Sequence, residues 1–397
     1  MKESVKEFLR VLSRRGVSVL FRLLWIFPVK RNRVFFQSYE QAIGYCGNPM
    51  YLCEYLRIRK GGEQLIYSLQ PGADRPEAPG VRWIGFRSFS WYYYLATSGT
   101  VVWNCRAPLF LSRRRNQLVL NTWHAGGAYK RIGIGADGKP DPMLTLSNER
   151  NRKYFNLFLT SSARFTETNI RLAIGYQGRT LECGMPRNDL FFDAERVART
   201  NREVRKELGL REEEFLVLTA PTFRGEGGGE SGFFTDFPLE TVERKLREKT
   251  GRPVRFLIRK HHRDRSVPQG GGNRTDVSGF RDTQRLLCAA DLLITDYSSI
   301  MWDFCLLNRP TLLYVPDAEV YERKDRGFFT PVSTWPGIVC EQPEKLEECL
   351  ETLFRTDFRA KYDRYRESVG GCESGRACEE TVRAMREFHG IGESPVR

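Results

Sequence analysis

Apolar positions along this chain fall into short runs rather than long periodic stretches. Six stand in the first half: 33-RVFFQSY-39, 64-QLIYSL-69, 81-VRWIGF-86, 100-TVVWN-104, 116-NQLVLNTW-123 and 156-NLFLTSS-162. Each is rich in Val, Ile, Leu and aromatic residues and is bounded by polar or turn residues, which predicts buried strands. Between them the spacing turns helical, at 49–60, 89–98 and 163–174. A second series repeats the arrangement with 215-FLVLTAPTF-223, 254-VRFLIRK-260, 291-DLLIT-295 and 310-PTLLYV-315, and helices are expected at 238–249, 283–290 and 299–307. Strands alternating with helices imply parallel sheets covered on both faces. The pattern therefore predicts two doubly wound, Rossmann-type α/β domains facing a central cleft. Ligands of such folds lie beyond the C-terminal ends of the strands.

A charged helical stretch at 194–210 separates the two series. The expected organisation is a basic amphipathic segment at 1–32, one Rossmann-like domain at 33–195, a second at 196–357, and C-terminal helices and tail at 358–397. A length of 397 residues with 41% hydrophobic content is enough for two cores.

Charge sharpens the picture. The net charge of +14 asks for an anionic partner: nucleic acid, an acidic membrane, or a phosphate-rich substrate. Half of it lies in residues 1–33, where nine Lys and Arg face two Glu, for a balance of +7. Among them runs 17-VSVLFRLLWIFPV-29, too short to span a bilayer and interrupted by Arg22. The run ends in Pro28 and 30-KRNR-33 rather than a small-residue cleavage site. The segment reads either as a peripheral contact with an anionic membrane or as a buried first helix. The ten cysteines form no Cys-x-x-Cys pair, and the four histidines complete no zinc spacing. Reduced thiols in a cytosol are expected.

Several polar clusters sit directly after predicted strands. They are 121-NTWHAGGAYKRIG-133, 220-APTFR-224, 259-RKHHR-263 and 295-TDYSSIMWDF-304; 184-GMPRND-189 and 317-DAEVYERKDRGFF-329 stand at turns. Each also has a plain structural explanation. His124 fits a satisfied turn histidine, and Asp296, Ser298 and Ser299 fit a helix cap. The Pro-Arg-Asn-Asp turn fits a cap at a hinge, and the run around Arg326 fits a solvated face.

Taken together, these motifs resemble the CDP-glycerol glycerophosphotransferases that build teichoic-acid-type poly(glycerol phosphate). The resemblance rests on WHAGGAYK, GMPRND, APTFR, RKHH, LLITDYSSIMWDF and VPDAEVYERKDRGFF in that order, with FFQSYEQAIGYCGNP before them, and covers roughly residues 33–355. Many polymerases of that family read Trp-His-Gly-Thr-Pro-Leu-Lys where this chain has Trp-His-Ala-Gly-Gly-Ala-Tyr-Lys. A primase-like or side-branch role is therefore as open as polymerisation. The resemblance implies a GT-B-like fold, with the first domain taking the acceptor and the second the CDP-linked donor. It also implies transfer of glycerol phosphate, or a related polyol phosphate, to a hydroxyl of a lipid-linked glycan or polyol-phosphate acceptor, releasing CMP.

In that scheme His124 is the acceptor-side base, for which an imidazole is suited near neutral pH. Ala125, Gly126 and Gly127 keep the turn small enough for a phosphate, and Lys130 adds positive potential. His261 contacts the diphosphate or protonates the leaving group, with His262 a competitor for that role. Arg187, Asn188, Asp189, Pro221, Thr222, Arg224, Thr295, Asp296, Ser298, Ser299 and Arg326 are expected to bind substrate, the arginines by clamping phosphate oxygens. No metal and no cofactor beyond the CDP-glycerol substrate is expected. The expected location is the cytoplasmic face of a membrane, held peripherally. Two rivals remain: a GT-B glycosyltransferase using a nucleotide sugar, and a non-enzymatic basic binder of membrane or nucleic acid. Against the second, basic residues cluster at strand ends and no nucleic-acid motif is present.

Overall fold

The computed structural model describes residues 16–38, 44–132, 142–222, 237–260, 272–324 and 327–392. Seven strands form the first sheet: β1 (Lys30–Gln37), β2 (Gln64–Leu69), β3 (Val81–Gly85), β4 (Ser98–Trp103), β5 (Leu118–Asn121), β6 (Leu157–Thr160) and β7 (Thr180–Glu182). Their spatial order is β3-β2-β1-β4-β5-β6-β7, and every pair is parallel. The second sheet holds β8 (Phe215–Thr219), β9 (Val254–Ile258), β10 (Arg274–Asp276), β11 (Leu292–Thr295), β12 (Thr311–Tyr314) and β13 (Ile338–Cys340). It runs β10-β9-β8-β11-β12-β13, again all parallel. Each sheet thus has a doubly wound order, with its switch point between β1 and β4 or between β8 and β11.

Burial explains the continuous apolar runs. β4, β5, β6, β8, β11 and β12 are buried along their whole length, because helices cover both faces. The sequence pattern does not show β7, β10 and β13. These are three-residue edge strands paired on one side, and Arg274-Thr275-Asp276 carries no apolar residue at all. The run from Phe215 also ends early, at Thr219, where Pro221 has no N–H to extend a ladder.

The C-terminal residues do not form one unit. The helix Phe358–Ser368 packs on the second sheet through Phe358 and Tyr362. The chain then crosses back. Ala163 N donates to Gly370 O (2.9 Å) and Cys372 N to Ser161 O (3.0 Å). The last helix, Ala377–His389, places Ala377, Cys378, Val382, Ala384 and Met385 against Val34, Phe36, Leu52 and Leu56 of the first domain. That helix belongs to the first domain's core although it is last in sequence.

Truncation after residue 376 should therefore expose an apolar face of the first domain. Such a protein should be insoluble, or should lose the first domain's cooperative unfolding transition in calorimetry. A soluble product that melts like the full chain would show the helix to be peripheral.

Candidate active site between the two domains

β5 ends at Asn121, and three residues later the chain reaches His124. The Asn121 side chain accepts from Trp123 N (2.8 Å). Trp123 has φ of +50°, a conformation unusual for a bulky residue, and it is 3% exposed. Asn48, from the Asn-Pro turn after β1, holds this bend by donating to Thr122 O (3.1 Å) and Trp123 O (3.0 Å). The bend delivers the His124 ring to an exposed position, stacked on the Trp123 indole with centroids 4.9 Å apart. His124 Nδ1 donates to Asn104 O at the end of β4 (2.9 Å), since a carbonyl can only accept. In the neutral ring the lone pair is then on Nε2, the tautomer a general base needs.

The loop beyond His124 docks on the second domain. Lys130 forms an antiparallel bridge with Phe328; Arg131 N donates to Gly327 O (2.8 Å) and Phe329 N to Tyr129 O (2.9 Å). Tyr129 packs on Trp335 (5.0 Å). On the second sheet, Ala220–Thr222 and Asp296–Ser299 follow β8 and β11, the two strands flanking the switch point, and Thr295 is the last residue of β11. They are tied together. Thr295 Oγ1 donates to Ala220 O (2.7 Å), and Thr222 N donates to Asp296 Oδ1 (2.8 Å). Ser298 and Ser299 stand half-buried before the short helix Ile300–Cys305.

Against these positions, several sequence expectations change. Gly126 and Gly127 do not open space for a phosphate. A Cβ at Gly126 would lie 2.0 Å from Trp302 Cδ1 of the second domain, and one at Gly127 would lie 1.9 Å from the Tyr129 ring. Their smallness lets protein pack on protein. Ala125 is half-buried against the first domain's core. Lys130 is half-buried, with Nζ 5.9 Å from the Tyr321 ring centroid.

Arg187, Asn188 and Asp189 are turned onto other parts of the protein rather than open to the cleft. Arg187 is 5% exposed, pairs with Asp303 (2.8 Å) and donates to His124 O (2.7 Å). Asn188 is fully buried and donates to Asp303 (3.1 Å) and Glu373 (3.0 Å). Asp189 caps the last helix, accepting from Ala377 N (2.9 Å) and Cys378 N (2.8 Å). Thr295 and Asp296 are likewise buried and shape the switch point from beneath, while Pro221 is buried and Thr222 half-buried. Arg224, His261, His262 and Arg326 lie outside the described residues.

Sequence reasoning missed Asn104, whose carbonyl gives no side-chain signal, and Glu373. The latter sits in the returning segment, outside every motif. Its Oε1 accepts from Trp302 Nε1 (2.9 Å) and Asn188, and its Oε2 accepts from Met185 N (3.0 Å). Burial raises its pKa from the ordinary 4.5 to about 7. The Trp302, Met185 and Asn188 donors oppose the shift, and Asp303 adds to it.

Two doubly wound domains, meeting across the C-terminal ends of their strands and joined by a returning C-terminal helix, define a GT-B-like protein. A solved structure of the wall teichoic acid polymerase TagF has the same fold, with a TM-score of 0.80 at 24% identity, covering 97% of this chain and 98% of that one. This chain belongs to the CDP-glycerol:poly(glycerophosphate) glycerophosphotransferase family, whose model matches residues 19–387. It is 27% identical over 383 residues to a teichoic acid poly(glycerol phosphate) polymerase of Bacillus subtilis, covering 92% of this chain but 50% of that protein. A protein of the same description from Bacillus spizizenii is 28% identical, with 88% of this chain and 91% of that protein covered. The teichoic acid glycerol-phosphate transferase of Staphylococcus aureus is 26% identical, with coverage of 89% and 91%.

Glu373 yields a pH prediction. Its folded-state pKa is raised, so between about 4.5 and 7 the native state holds a proton that the unfolded chain has released. Its contribution to stability therefore falls as pH rises through this window and is flat above it. Relative to Glu373→Gln, the wild type should lose on the order of a few kcal/mol from pH 4.5 to 7. Chemical denaturation across that range checks this; parallel curves for the two proteins would contradict it.

Proposed function

We propose that this chain transfers glycerol phosphate, or a related polyol phosphate, from CDP-glycerol to a hydroxyl of a lipid-linked acceptor. Family membership supplies the reaction class. The observation that carries the assignment is the exposed His124 ring, its Nδ1–H committed to Asn104 O, on the loop that packs against the second domain. In the reaction, an acceptor oxygen attacks the phosphorus bearing the glycerol. A new P–O bond forms, the bond to the CMP oxygen breaks, and CMP departs with that electron pair. The hydroxyl proton passes to His124 Nε2. Ser298, Ser299, Thr222 and the main-chain N–H groups beyond β8 and β11 hold the donor diphosphate, with Arg224, His261 and Arg326 as further donors. Phosphoryl transfer of this kind depends on positioning and charge stabilisation. CDP-glycerol enters as substrate, and the scheme uses no cofactor.

Loss of a general base costs about 10²–10⁴-fold. His124→Ala and His124→Gln should both lose kcat by about that factor while CDP-glycerol binding, measured by calorimetry, persists. If both keep more than about half of wild-type turnover, His124 is only a turn residue. Turnover of a nucleotide sugar instead of CDP-glycerol would put the chain among the glycosyltransferases.

The same reading places the enzyme on an anionic membrane surface, at its cytoplasmic face. Residues 16–23 are helical and two-faced. Phe21 is 2% exposed, and it packs with Leu24 and Trp25 on the first domain. Val19, Leu20, Leu23, Ile26 and Phe27 point outward, with Ile26 80% exposed. The exposed cations Arg22, Lys30 and Arg31 accompany them, and Phe89, 73% exposed, lies one turn from Tyr93, which touches Phe27. Arg33 does not join this surface: it is buried and donates to Thr97 Oγ1 (2.8 Å). No helix among the described residues is long and apolar enough to cross a membrane. Leu23→Ser combined with Ile26→Ser should cut flotation with anionic vesicles by about tenfold or more, since each buried apolar side chain contributes roughly 1.5–3 kcal/mol. Unchanged flotation would remove this face from the contact.

A further inference from the structure

The motif Thr295–Phe304 carries, as its second-last residue, an aspartate that the transfer scheme does not use. Asp303 is 2% exposed and fully engaged. Its Oδ2 receives Arg187 Nη2 (2.8 Å) and Gln284 Nε2 (2.9 Å), and its Oδ1 receives Asn188 Nδ2 (3.1 Å). The other terminal nitrogen of Arg187 donates to His124 O (2.7 Å). One planar guanidinium therefore spans from a carboxylate of the second domain to the main chain of the acceptor-side histidine.

The place where it acts has no secondary structure to hold it. β5 stops at Asn121, and Trp123 turns the chain at φ +50°. The carbonyls of Thr122 and Trp123 are held by the Asn48 amide, and that of His124 by Arg187. Asn48 is held in turn, its Oδ1 accepting from Arg187 N (3.2 Å). Arg187 thus bears on three successive carbonyls: its side chain holds that of His124, and its main-chain N–H supports the other two through Asn48. We propose that Arg187 is a positioning residue for His124, through which the second domain fixes the acceptor-side imidazole.

This assignment differs from substrate binding and from simple attachment of two domains. A phosphate ligand would need a guanidinium open to the cleft, and this one is closed inside the seam. A simple ionic tie to Asp303 could be made by lysine. Only the forked, rigid donor geometry of arginine serves a carboxylate and a carbonyl at once.

The test reads His124 directly. The chain has only four histidines, at 124, 261, 262 and 389. In protein labelled with ¹⁵N-histidine, comparison with His124→Gln identifies the His124 ring signals, including the Nδ1–H that donates to Asn104 O. In Arg187→Lys and in Asp303→Asn these signals should shift or vanish. Asp303 touches no atom of His124 in the contacts described above, and its amide replacement must set a donor against one of three donors. His389, bonded to Thr100 Oγ1 (3.1 Å) at the opposite end of β4, should keep its signal and so report that each variant is folded.

The kinetic arm rests on the proposed transfer reaction. There kcat should fall by about tenfold or more while the KM for CDP-glycerol stays within about twofold. Unchanged His124 signals in both variants overturn the proposal. So does a raised KM with unchanged signals, which would make Arg187 a substrate ligand. If even the wild type transfers no glycerol phosphate, the functional reading fails, while the ring signals still decide whether Arg187 positions His124.

Discussion

Arg187 and Asp303 meet in a region closed to water, where unpaired charges would be costly. Such a pair is maintained only when its geometry is good and the remaining lone pairs and protons are satisfied. Here Asp303 gathers three donors, and Arg187 spends its second nitrogen on the His124 carbonyl. The same knot holds Asn188, and through Asn188 it reaches Glu373 of the returning segment. Glu373 in turn orients Trp302, whose indole rests on the backbone of Gly126. The two domains are thus joined in part through the very loop that carries His124. Part of the contact between the domains therefore bears directly on the backbone around His124.

The cleft divides its labour accordingly. On the first domain, a strained Trp123 sets an imidazole outward with its tautomer chosen by Asn104 O. Strain of that kind persists only where the surroundings over-determine it, and Asn48 and Asn121 supply the determination here. On the second domain, Thr295 and Asp296 work from below, locking the ends of β8 and β11 together, while Ser298 and Ser299 remain nearer the surface. In the proposed reaction the second domain holds the phosphoryl donor and the first supplies the base.

The N-terminal helix follows a related economy. Its inner face completes the first domain's core through Phe21, Leu24 and Trp25, while its outer face keeps five apolar side chains in contact with solvent. Of the two explanations that the sequence left open, the buried first helix describes its inner face, and the proposed membrane contact would use the outer one. In the proposed reaction the acceptor is lipid-linked, and the helix belongs to the domain that carries His124.

The strand runs, the alternation with helices and the order of motifs were legible from the sequence, because burial on both sheet faces writes itself as continuous apolar stretches. The positions of His124, Ser298 and Ser299 beyond strand ends were legible for a related reason: polar clusters directly after apolar runs mark where the strands stop. What the sequence could not separate was a polar residue that faces a ligand from one that faces the other domain. Arg187 and Asn188 have the residue types of a phosphate site, and the same types satisfy a buried interdomain network; Asp189 caps the last helix instead, and Gly126 makes room for Trp302. The edge strands β7, β10 and β13 were too short to carry a period, and Glu373 lay in a segment with no pattern of its own. Hydrophobic periodicity is a local property of the chain, so the sequence by itself determined the elements and their order. The partners of Arg187, Asp303 and Glu373 are separated by up to about two hundred residues, and only the docking of one domain on the other brought their charges and donors together.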